Sequence, residues 1–245
     1  MDSQDLNDPR RLAARRTLRR SGVQVLLEDN HLLCLSKPAG LLSQGGPEGQ
    51  ASLTDLLDAY RRAAEGKSGR AYIGLVHRLD RNTSGAMVVA KTSKAASRLS
   101  QALRDRRAEK VYLAWVDRPA REDEGTLEHW LRREGGVTRL AADGDTDRKR
   151  ARLSYEVEGR SHRASRVRIR LETGLTHQIR VQMAQIGHPL VGDPKYGGSN
   201  GKRPGLHALE LHFEHPVRKT PVVLTAPIPE DLLKMDARLG IQPPV

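Results

Sequence analysis

A single carboxylate within an arginine-rich stretch has the clearest potential for chemistry in this chain. Asp80 lies in the run His77–Gly85, which reads His-Arg-Leu-Asp-Arg-Asn-Thr-Ser-Gly. Apolar residues on both sides of the run predict two short buried strands, and the Asn-Thr-Ser-Gly stretch supplies residues typical of a turn between them. We therefore expect Asp80 at a strand end, where reactive groups are commonly displayed. The structural alternative is an Asp that accepts backbone N–H bonds in the turn and pairs with a neighbouring arginine.

Three further segments carry side chains that could contribute to a site. Lys37 opens a Lys-Pro-Ala-Gly sequence, Tyr112 closes a Lys-Val-Tyr sequence, and residues 174–180 read Gly-Leu-Thr-His-Gln-Ile-Arg. Taken singly, Tyr112 is the kind of residue that fills a core, and Arg180 is the kind that contacts a phosphate. Their functional interpretation depends on the four segments being considered together.

The elements that must position these segments are strands and helices in mixed order. A hairpin is predicted over 23–38, with Glu28-Asp29-Asn30 as its turn, and helices are predicted to start at Ser52, Ser93 and Thr176 and after Pro229. Further strands are predicted over about 110–116, 151–158, 165–172, 207–213 and 222–225. In the 165–172 strand, apolar residues alternate with arginines, so one face should be buried and the other basic. This order predicts an α+β fold with a mixed, mostly antiparallel central sheet flanked by helices and loops.

Charge and composition limit the kinds of partner that the chain can bind and the cellular compartments in which it can occur. Lys and Arg number 42 against 30 Asp and Glu, giving a net charge of +12 and a pI near 10.2. This balance predicts a polyanionic partner, although charge alone does not distinguish RNA, DNA and membrane. No apolar run approaches the roughly 18 to 20 residues of a membrane span, and the N-terminus lacks the apolar stretch of a secretory signal. A soluble, cytoplasmic protein is expected, with its one cysteine, Cys34, as a small core residue.

The four segments occur in the order typical of a known family. Lys37-Pro38-Ala39-Gly40, the His77–Gly85 run, Lys110-Val111-Tyr112 and residues 174–180 together closely resemble the RluA-type family of RNA pseudouridine synthases. The resemblance covers about residues 23 to 228, and it includes the continuation Gly-His-Pro-Leu-Val-Gly-Asp-Pro-Lys-Tyr-Gly at 187–197. It implies a pseudouridine synthase fold and an isomerase that converts uridine in ribosomal RNA, transfer RNA or both, without a cofactor or a metal.

The resemblance also implies a role for each site residue. Asp80 matches the catalytic carboxylate, Tyr112 the tyrosine that stacks on the flipped base, and Arg180 the cation that keeps the buried carboxylate ionised. The low aromatic content of 3% fits one ring that serves one extruded base. The substrate-binding positions implied by the same segments are Arg78, expected to fill the space left by the flipped nucleotide, with His77, Thr83, Lys37, His177 and Gln178.

One position departs from the family pattern, and one segment precedes the matching region. Leu175 stands where the family usually has Arg, which puts a phosphate contact in doubt rather than catalysis. Residues 1–21 are polar and arginine-rich and are expected to be a flexible basic arm, with a short basic helix as the alternative. Residues 22–245 are expected to form the catalytic domain, with no separate N-terminal RNA-binding domain. A monomer is expected, with RNA as the partner and neither DNA nor membrane.

Two other functions compete with this interpretation. A metal-dependent hydrolase is disfavoured because the sequence has no His-Glu-x-x-His pattern, and His207 and His212 are spaced to point to opposite faces of a predicted strand. A non-catalytic RNA-binding or ribosome-associated factor on the same fold is the second alternative. Asp80 argues against it, since a binder gains nothing from an anion that faces phosphates.

Overall fold

A computed structural model describes residues 8–46 and 50–242 of the chain. The helices are α1 (Pro9–Arg20), α2 (Leu53–Glu65), α3 (Ser93–Arg104), α4 (Gln178–Gln185) and α5 (Glu230–Leu239). The strands are β1 (Gln24–Glu28), β2 (Leu32–Lys37), β3 (Gly74–Leu75), β4 (Ser84–Ala90), β5 (Glu109–Asp117), β6 (Glu124–Glu134), β7 (Val137–Leu140), β8 (Lys149–Arg160), β9 (Ala164–Leu171), β10 (Leu206–Glu214) and β11 (Pro221–Thr225). A 3₁₀ helix spans Pro194–Tyr196.

The chain divides into two compact units. Unit 1 comprises the residues up to Ala108 together with Glu210–Pro227, and unit 2 comprises Glu109–Leu209 together with the residues from Ile228 onwards. Sequence reasoning expected one catalytic domain over 22–245, and the extent of that domain stays a prediction.

Unit 1 is built on an antiparallel sheet in which β2 pairs with both β1 and β4, while β3 also pairs with β4 and β10 pairs with β11. Every residue of β4 is buried, so both faces of this strand are covered. The core joins these strands to α3 through apolar side chains that include Cys34, Val88, Leu99 and Phe213. Burial raises the pKa of the Cys34 thiol, which agrees with the predicted role as a core residue.

The first helix lies in a segment for which a solvated tail was expected. Asp8 caps α1 by accepting a hydrogen bond from the Arg10 backbone N–H at 2.9 Å, and Pro9 fits the first helical position. Ala14 and Leu18 are buried, and α1 packs against α2. Residues 1–7 of the predicted arm lie outside the described residues. For residues 9–20, burial of one face supplies the stability that a polar segment lacks on its own.

Unit 2 contains an antiparallel sheet in the order β5, β9, β8, β6, β7. One core packs Leu113 and Trp115 of β5 against α5, and the Trp115 indole N–H donates to Asp236 at 2.6 Å. A second core packs Leu131 and Ala151 against Val181 of α4. Sequence reasoning identified β5, β8 and β9 but did not predict β6 and β7.

The predicted fold class is confirmed: the protein is an α+β protein, and the strand pairs described above for each unit are antiparallel. Among the residues that the structure describes, no helix is long and apolar enough to cross a membrane. Within the same residues, no group of three or more His, Cys, Asp or Glu side chains is arranged to hold a metal ion.

Candidate active site

Asp80 lies in an irregular segment of unit 1, and not at a strand end as the sequence suggested. The preceding strand β3 ends at Leu75 and β4 begins at Ser84, so residues 76–83 connect them without strand structure. The Thr83 backbone N–H donates to the Asp80 carbonyl at 3.0 Å and closes a turn directly after Asp80. The strand prediction was wrong here because apolar character at Val76 and Leu79 reflects partial or full burial of a loop.

The loop that follows β2 holds the backbone on both sides of Asp80. On one side, the Ser43 hydroxyl donates to the Leu79 carbonyl at 2.7 Å and accepts from the Leu79 backbone N–H at 3.3 Å. On the other side, the Gly40 backbone N–H donates to the Arg81 carbonyl at 2.8 Å, and Arg81 Nε donates to the Gly40 carbonyl at 3.0 Å. Four hydrogen bonds therefore fix the residues that flank Asp80.

Lys37 joins the two segments from within the protein. Its side chain is fully buried, and its ammonium donates to the carbonyls of Pro38, Leu41 and Arg81 at 2.9, 2.8 and 3.1 Å. The expected substrate contact of Lys37 stays a prediction, whereas the contacts observed are those of a residue that shapes the Asp80 loop.

The other predicted residues of unit 1 differ in their exposure. His77 is half-buried, and its Nε2 accepts a hydrogen bond from the Val88 backbone N–H at 3.0 Å, which requires that nitrogen to be unprotonated. Thr83 is buried within the turn, and Arg78 is exposed. Exposure leaves Arg78 suited to an external contact, and the other two side chains suited to fixing the loop.

In unit 2, Arg180 of α4 forms a buried ion pair that the sequence analysis did not foresee. Its Nε and Nη2 each donate to one carboxylate oxygen of Asp193 at 2.6 Å, a bidentate arrangement. The guanidinium carbon also lies 4.8 Å from the centre of the Tyr196 ring, within range of a cation–π contact. Arg180 is 9% exposed and Asp193 is 1% exposed, so the pair is isolated from bulk water.

His177 and Gln178 shape the start of α4. His177 adopts a left-handed conformation with φ of 55°, and its Nδ1 lies 2.8 Å from the Tyr196 hydroxyl. The Gln178 amide oxygen accepts from the Leu175 backbone N–H at 3.1 Å and from the Thr173 hydroxyl at 2.9 Å. Thr176 was the predicted cap of this helix, but His177 takes that place because the left-handed residue ends the preceding turn.

Tyr112 lies on β5, where it is 9% exposed and faces Ile169 across the pair with β9. Lys110, two residues earlier, shares its strand face, and burial lowers the pKa of the Lys110 ammonium. Leu175, at the usual position of an arginine, packs against the core of Leu131, Ala151 and Val181. It therefore fills apolar space where the family pattern would carry a charge.

Each unit thus brings together its own share of the predicted residues. Unit 1 collects Lys37, His77, Asp80 and Thr83 around one loop, and unit 2 collects His177, Gln178 and Arg180 around the start of α4. That Asp80, Arg180 and Tyr112 act together stays a prediction. Sequence reasoning missed the roles of Ser43, Asp193 and Tyr196, although the last two lie in the Gly-Asp-Pro-Lys-Tyr-Gly stretch that resembles the family.

Comparisons with known proteins identify the family of this chain. The model of the RNA pseudouridylate synthase family matches residues 31–185, which is more than half of the chain. A ribosomal large subunit pseudouridine synthase D of Xylella fastidiosa is 39% identical over 236 residues, covering 89% of this chain and 69% of the relative. The synthase of the same name in Pseudomonas aeruginosa is 35% identical over 227 residues, covering 86% of this chain and 70% of the relative.

Solved structures give the same fold. Human RNA pseudouridylate synthase domain containing 4 superposes with a TM-score of 0.78 at 23% identity, covering 96% of this chain and 98% of the human chain. The chain belongs to the RluA-type family of RNA pseudouridine synthases, which are isomerases that act on RNA.

Proposed function

We propose that this RNA pseudouridine synthase isomerises specific uridines in ribosomal RNA, with Asp80 as the carboxylate that acts on a flipped-out nucleotide. The observation that supports this most directly is the double fixation of the Asp80 backbone by Ser43 on one side and Gly40 on the other. A catalytic group must be held in one geometry relative to the reacting bond, and such fixation is what catalysis by positioning requires.

The reaction breaks the bond between the sugar and N1 of uracil and forms a new bond between the sugar and C5. The detached base turns in the site, C5 loses its proton after the new bond forms, and N1 acquires one. Asp80 takes part as an ionised carboxylate, by attack on the sugar, by attack on the base or by an initial proton abstraction. Tyr112 stacks on the extruded base, since a buried aromatic ring offers a flat apolar surface to it.

Arg180 is proposed to keep the Asp80 carboxylate ionised in the closed site. A carboxylate in a closed site is poorly solvated, and a nearby guanidinium compensates its charge. Asp193 engages the edge of the guanidinium that carries Nε and Nη2. Because a guanidinium has five N–H donors, Arg180 can bind a second carboxylate through Nη1 while Asp193 and Tyr196 hold it in place. A surface phosphate contact suits this residue less, since the guanidinium is buried and already ion-paired.

Ribosomal RNA is the proposed substrate because the relatives named above are called large-subunit synthases. Transfer RNA is the second substrate that the mapping experiment below tests. Isomerisation of either RNA fits a cytoplasmic setting and a monomeric enzyme, with Arg78 in the space that the flipped nucleotide leaves.

The central test is Asp80→Asn, which removes the charge and keeps the shape. We expect isomerisation to fall below detection, while RNA binding stays within several-fold of the wild type. Asp105→Asn, a change at an exposed acid of the same unit, is the matched control and should leave both unchanged. Pseudouridine mapping across total RNA from cells with the wild type, with Asp80→Asn and with neither identifies the sites that depend on Asp80.

Equal loss of binding and isomerisation in Asp80→Asn would contradict the catalytic role. Full RNA binding without any isomerisation by the wild type would favour the non-catalytic RNA-binding factor instead. Sites confined to transfer RNA would replace the proposed ribosomal substrate and leave the role of Asp80 intact.

A further inference from the structure

Helix α1 displays a stripe of arginines opposite its buried face. Ala14 and Leu18 are buried, whereas Arg16, Arg19 and Arg20 are exposed. At 100° per residue these three arginines point away from the buried pair, and their spacing of three and four residues places them on one side of the helix. We call these three residues the α1 stripe.

Among the described residues, no acid neutralises the α1 stripe. Within residues 8–46 and 50–242, no carboxylate lies within ion-pair distance of any of its three guanidinium groups. Arginines at i and i+4 repel each other, so Arg16 and Arg20 destabilise the isolated helix by a few tenths of a kcal/mol. A bound polyanion would remove that repulsion.

The arginines of β9, in contrast, are paired with acids. Arg166 pairs with Glu158 and Asp236, Arg168 also pairs with Glu158, and Arg170 pairs with Glu109. Sequence reasoning predicted a basic face for this strand, but acids from neighbouring elements of unit 2 cancel much of its charge. The α1 stripe is therefore the better candidate for a surface that attracts an anion.

A buried charge cluster fixes α1 in place. Glu28 is 9% exposed and accepts hydrogen bonds from the Tyr60 hydroxyl at 2.5 Å, from Lys91 at 3.0 Å and from Arg15 of α1 at 3.1 Å. Burial and the adjacent Glu28 raise the pKa of Tyr60 to about 12, so its hydroxyl remains a donor. The charge of Arg15 is thus directed to Glu28, and this contact holds α1 and its stripe in a fixed orientation.

We propose that the α1 stripe binds the phosphate backbone of the RNA substrate. The identity of the RNA in this inference rests on the proposed function, whereas the contact itself is inferred from the geometry and charge of α1. Three exposed guanidinium groups on a fixed helix suit phosphates, because each can donate two hydrogen bonds to one phosphate group. A membrane surface suits the helix less, since Ala14 and Leu18 are buried in unit 1 and Leu12 is the one large apolar side chain that α1 exposes beside the stripe. A helix that lies in a membrane surface needs a continuous apolar face.

The test compares two triple variants with the same loss of charge. One is Arg16→Gln, Arg19→Gln and Arg20→Gln together. The control replaces Arg121, Arg163 and Arg238 by Gln, three exposed arginines of unit 2 that form no ion pair within the described residues. Binding of a transcript of large-subunit ribosomal RNA is measured by titration across a series of salt concentrations. KM and kcat for the same RNA are measured at one of these concentrations.

The stripe variant should bind RNA about tenfold or more weakly, and the slope of log K against log salt should fall by two to three, since each lost phosphate contact contributes about 0.7 to 0.9. KM should rise with the weaker binding, and kcat at saturating RNA should stay within twofold. Circular dichroism and the melting temperature should remain unchanged, because all three side chains are exposed.

An unchanged salt slope, or an equal fall of the slope in both variants, would overturn the proposal. The proposal would also be overturned if the stripe substitutions abolished binding to phosphatidylserine vesicles but left RNA binding unchanged. If the wild type binds RNA through the stripe but isomerises none, the proposed function fails and this contact stands. If the wild type isomerises RNA and the stripe variant matches it in KM and slope, only this contact fails.

Discussion

The two units hold their key residue by different physical means. In unit 1, Asp80 is positioned through the backbone of its neighbours, because Ser43, Gly40 and Lys37 all bond to main-chain groups of residues 79 and 81. In unit 2, Arg180 is held by its own side chain, through Asp193. The first arrangement fixes the position of a carboxylate, and the second fixes the direction of a guanidinium.

This difference has a consequence for mutation. Removing one of the hydrogen bonds to residues 79 or 81 shifts Asp80 but removes no candidate catalytic side chain. Loss of Asp193 leaves a cation buried without its carboxylate, which costs more, since uncompensated charge in a dry site is poorly solvated. The supports of Arg180 should therefore be more sensitive to substitution than the supports of Asp80.

The largest effect is expected for Asp193→Asn. Breaking a buried ion pair from one side costs about 3–5 kcal/mol, so the melting temperature should fall strongly. If Arg180 acts on Asp80 as proposed, kcat should fall by about 10²-fold or more, because a reoriented guanidinium would no longer stabilise that carboxylate. Denaturant unfolding and single-turnover kinetics measure the two effects.

A second Arg–Asp pair in unit 2 provides the control. Arg203 donates through Nε and Nη2 to Asp231 at 2.7 and 3.0 Å, but the Asp231 side chain is 58% exposed. Arg203 is itself buried, but water that reaches the exposed Asp231 side chain can also solvate the edge of the guanidinium. Asp231→Asn should therefore cost clearly less stability than Asp193→Asn and leave kcat unchanged. Equal losses in the two variants would remove the distinction between a buried functional pair and an ordinary one.

An intermediate effect is expected for Lys37→Met, which keeps the length of the side chain and removes the ammonium. Three carbonyls lose a charged donor, at about 1–3 kcal/mol for each one left unsatisfied, so we expect a loss on the order of 3 kcal/mol. The Pro38–Leu41 loop should then contact Arg81 only through the two Gly40 hydrogen bonds described above. We expect kcat to fall by roughly tenfold to a hundredfold, because Asp80 is held less firmly.

Lys91→Met tests whether that loss of activity is only a loss of stability. Lys91 is also buried in unit 1, but its ammonium pairs with Glu28 and Glu65, away from the Asp80 loop. This variant should be destabilised at least as much and should keep the kcat of the wild type below its melting temperature. A matching fall of kcat in Lys91→Met would show that Lys37 acts through general stability alone.

The sequence was most informative where hydrophobic spacing and capping residues agree. The capping box of Ser52 and Asp55 and the buried Leu57 made α2 predictable, and both partners of the box are present. Strands β6 and β7 escaped prediction because β6 alternates half-buried with exposed residues rather than apolar with polar ones. The α1 helix could not be distinguished from a tail, since its stability comes from contacts with α2 and Glu28, distant in sequence.

The same distinction between information in short segments and contacts distant in sequence applies to the candidate site. The identity of the candidate residues came from the resemblance of short segments, which needs no three-dimensional information. The hydrogen-bond partners of those residues could not be predicted from short segments, because Asp193 lies thirteen residues from Arg180 and Ser43 lies thirty-six from Leu79. Lys37 illustrates the limit most clearly, since a lysine near a site suggests an external contact, and only the structure reveals its three carbonyl partners.

The smallest effect is expected for Ser43→Ala. This change removes one hydroxyl that both donates to and accepts from Leu79, and it leaves the other supports of the loop in place. We expect a loss of about 1–2 kcal/mol and a fall in kcat of about threefold to tenfold, with KM for RNA unchanged, because the effect acts on the position of Asp80.

Ser165→Ala is the control, since the buried Ser165 hydroxyl accepts from the Ala120 backbone N–H at 2.8 Å in unit 2. It should lose comparable stability and keep its kcat. A kcat loss for Ser43→Ala that exceeds the one for Lys37→Met would reverse the proposed ranking of supports and make the hydroxyl the main determinant of the Asp80 position.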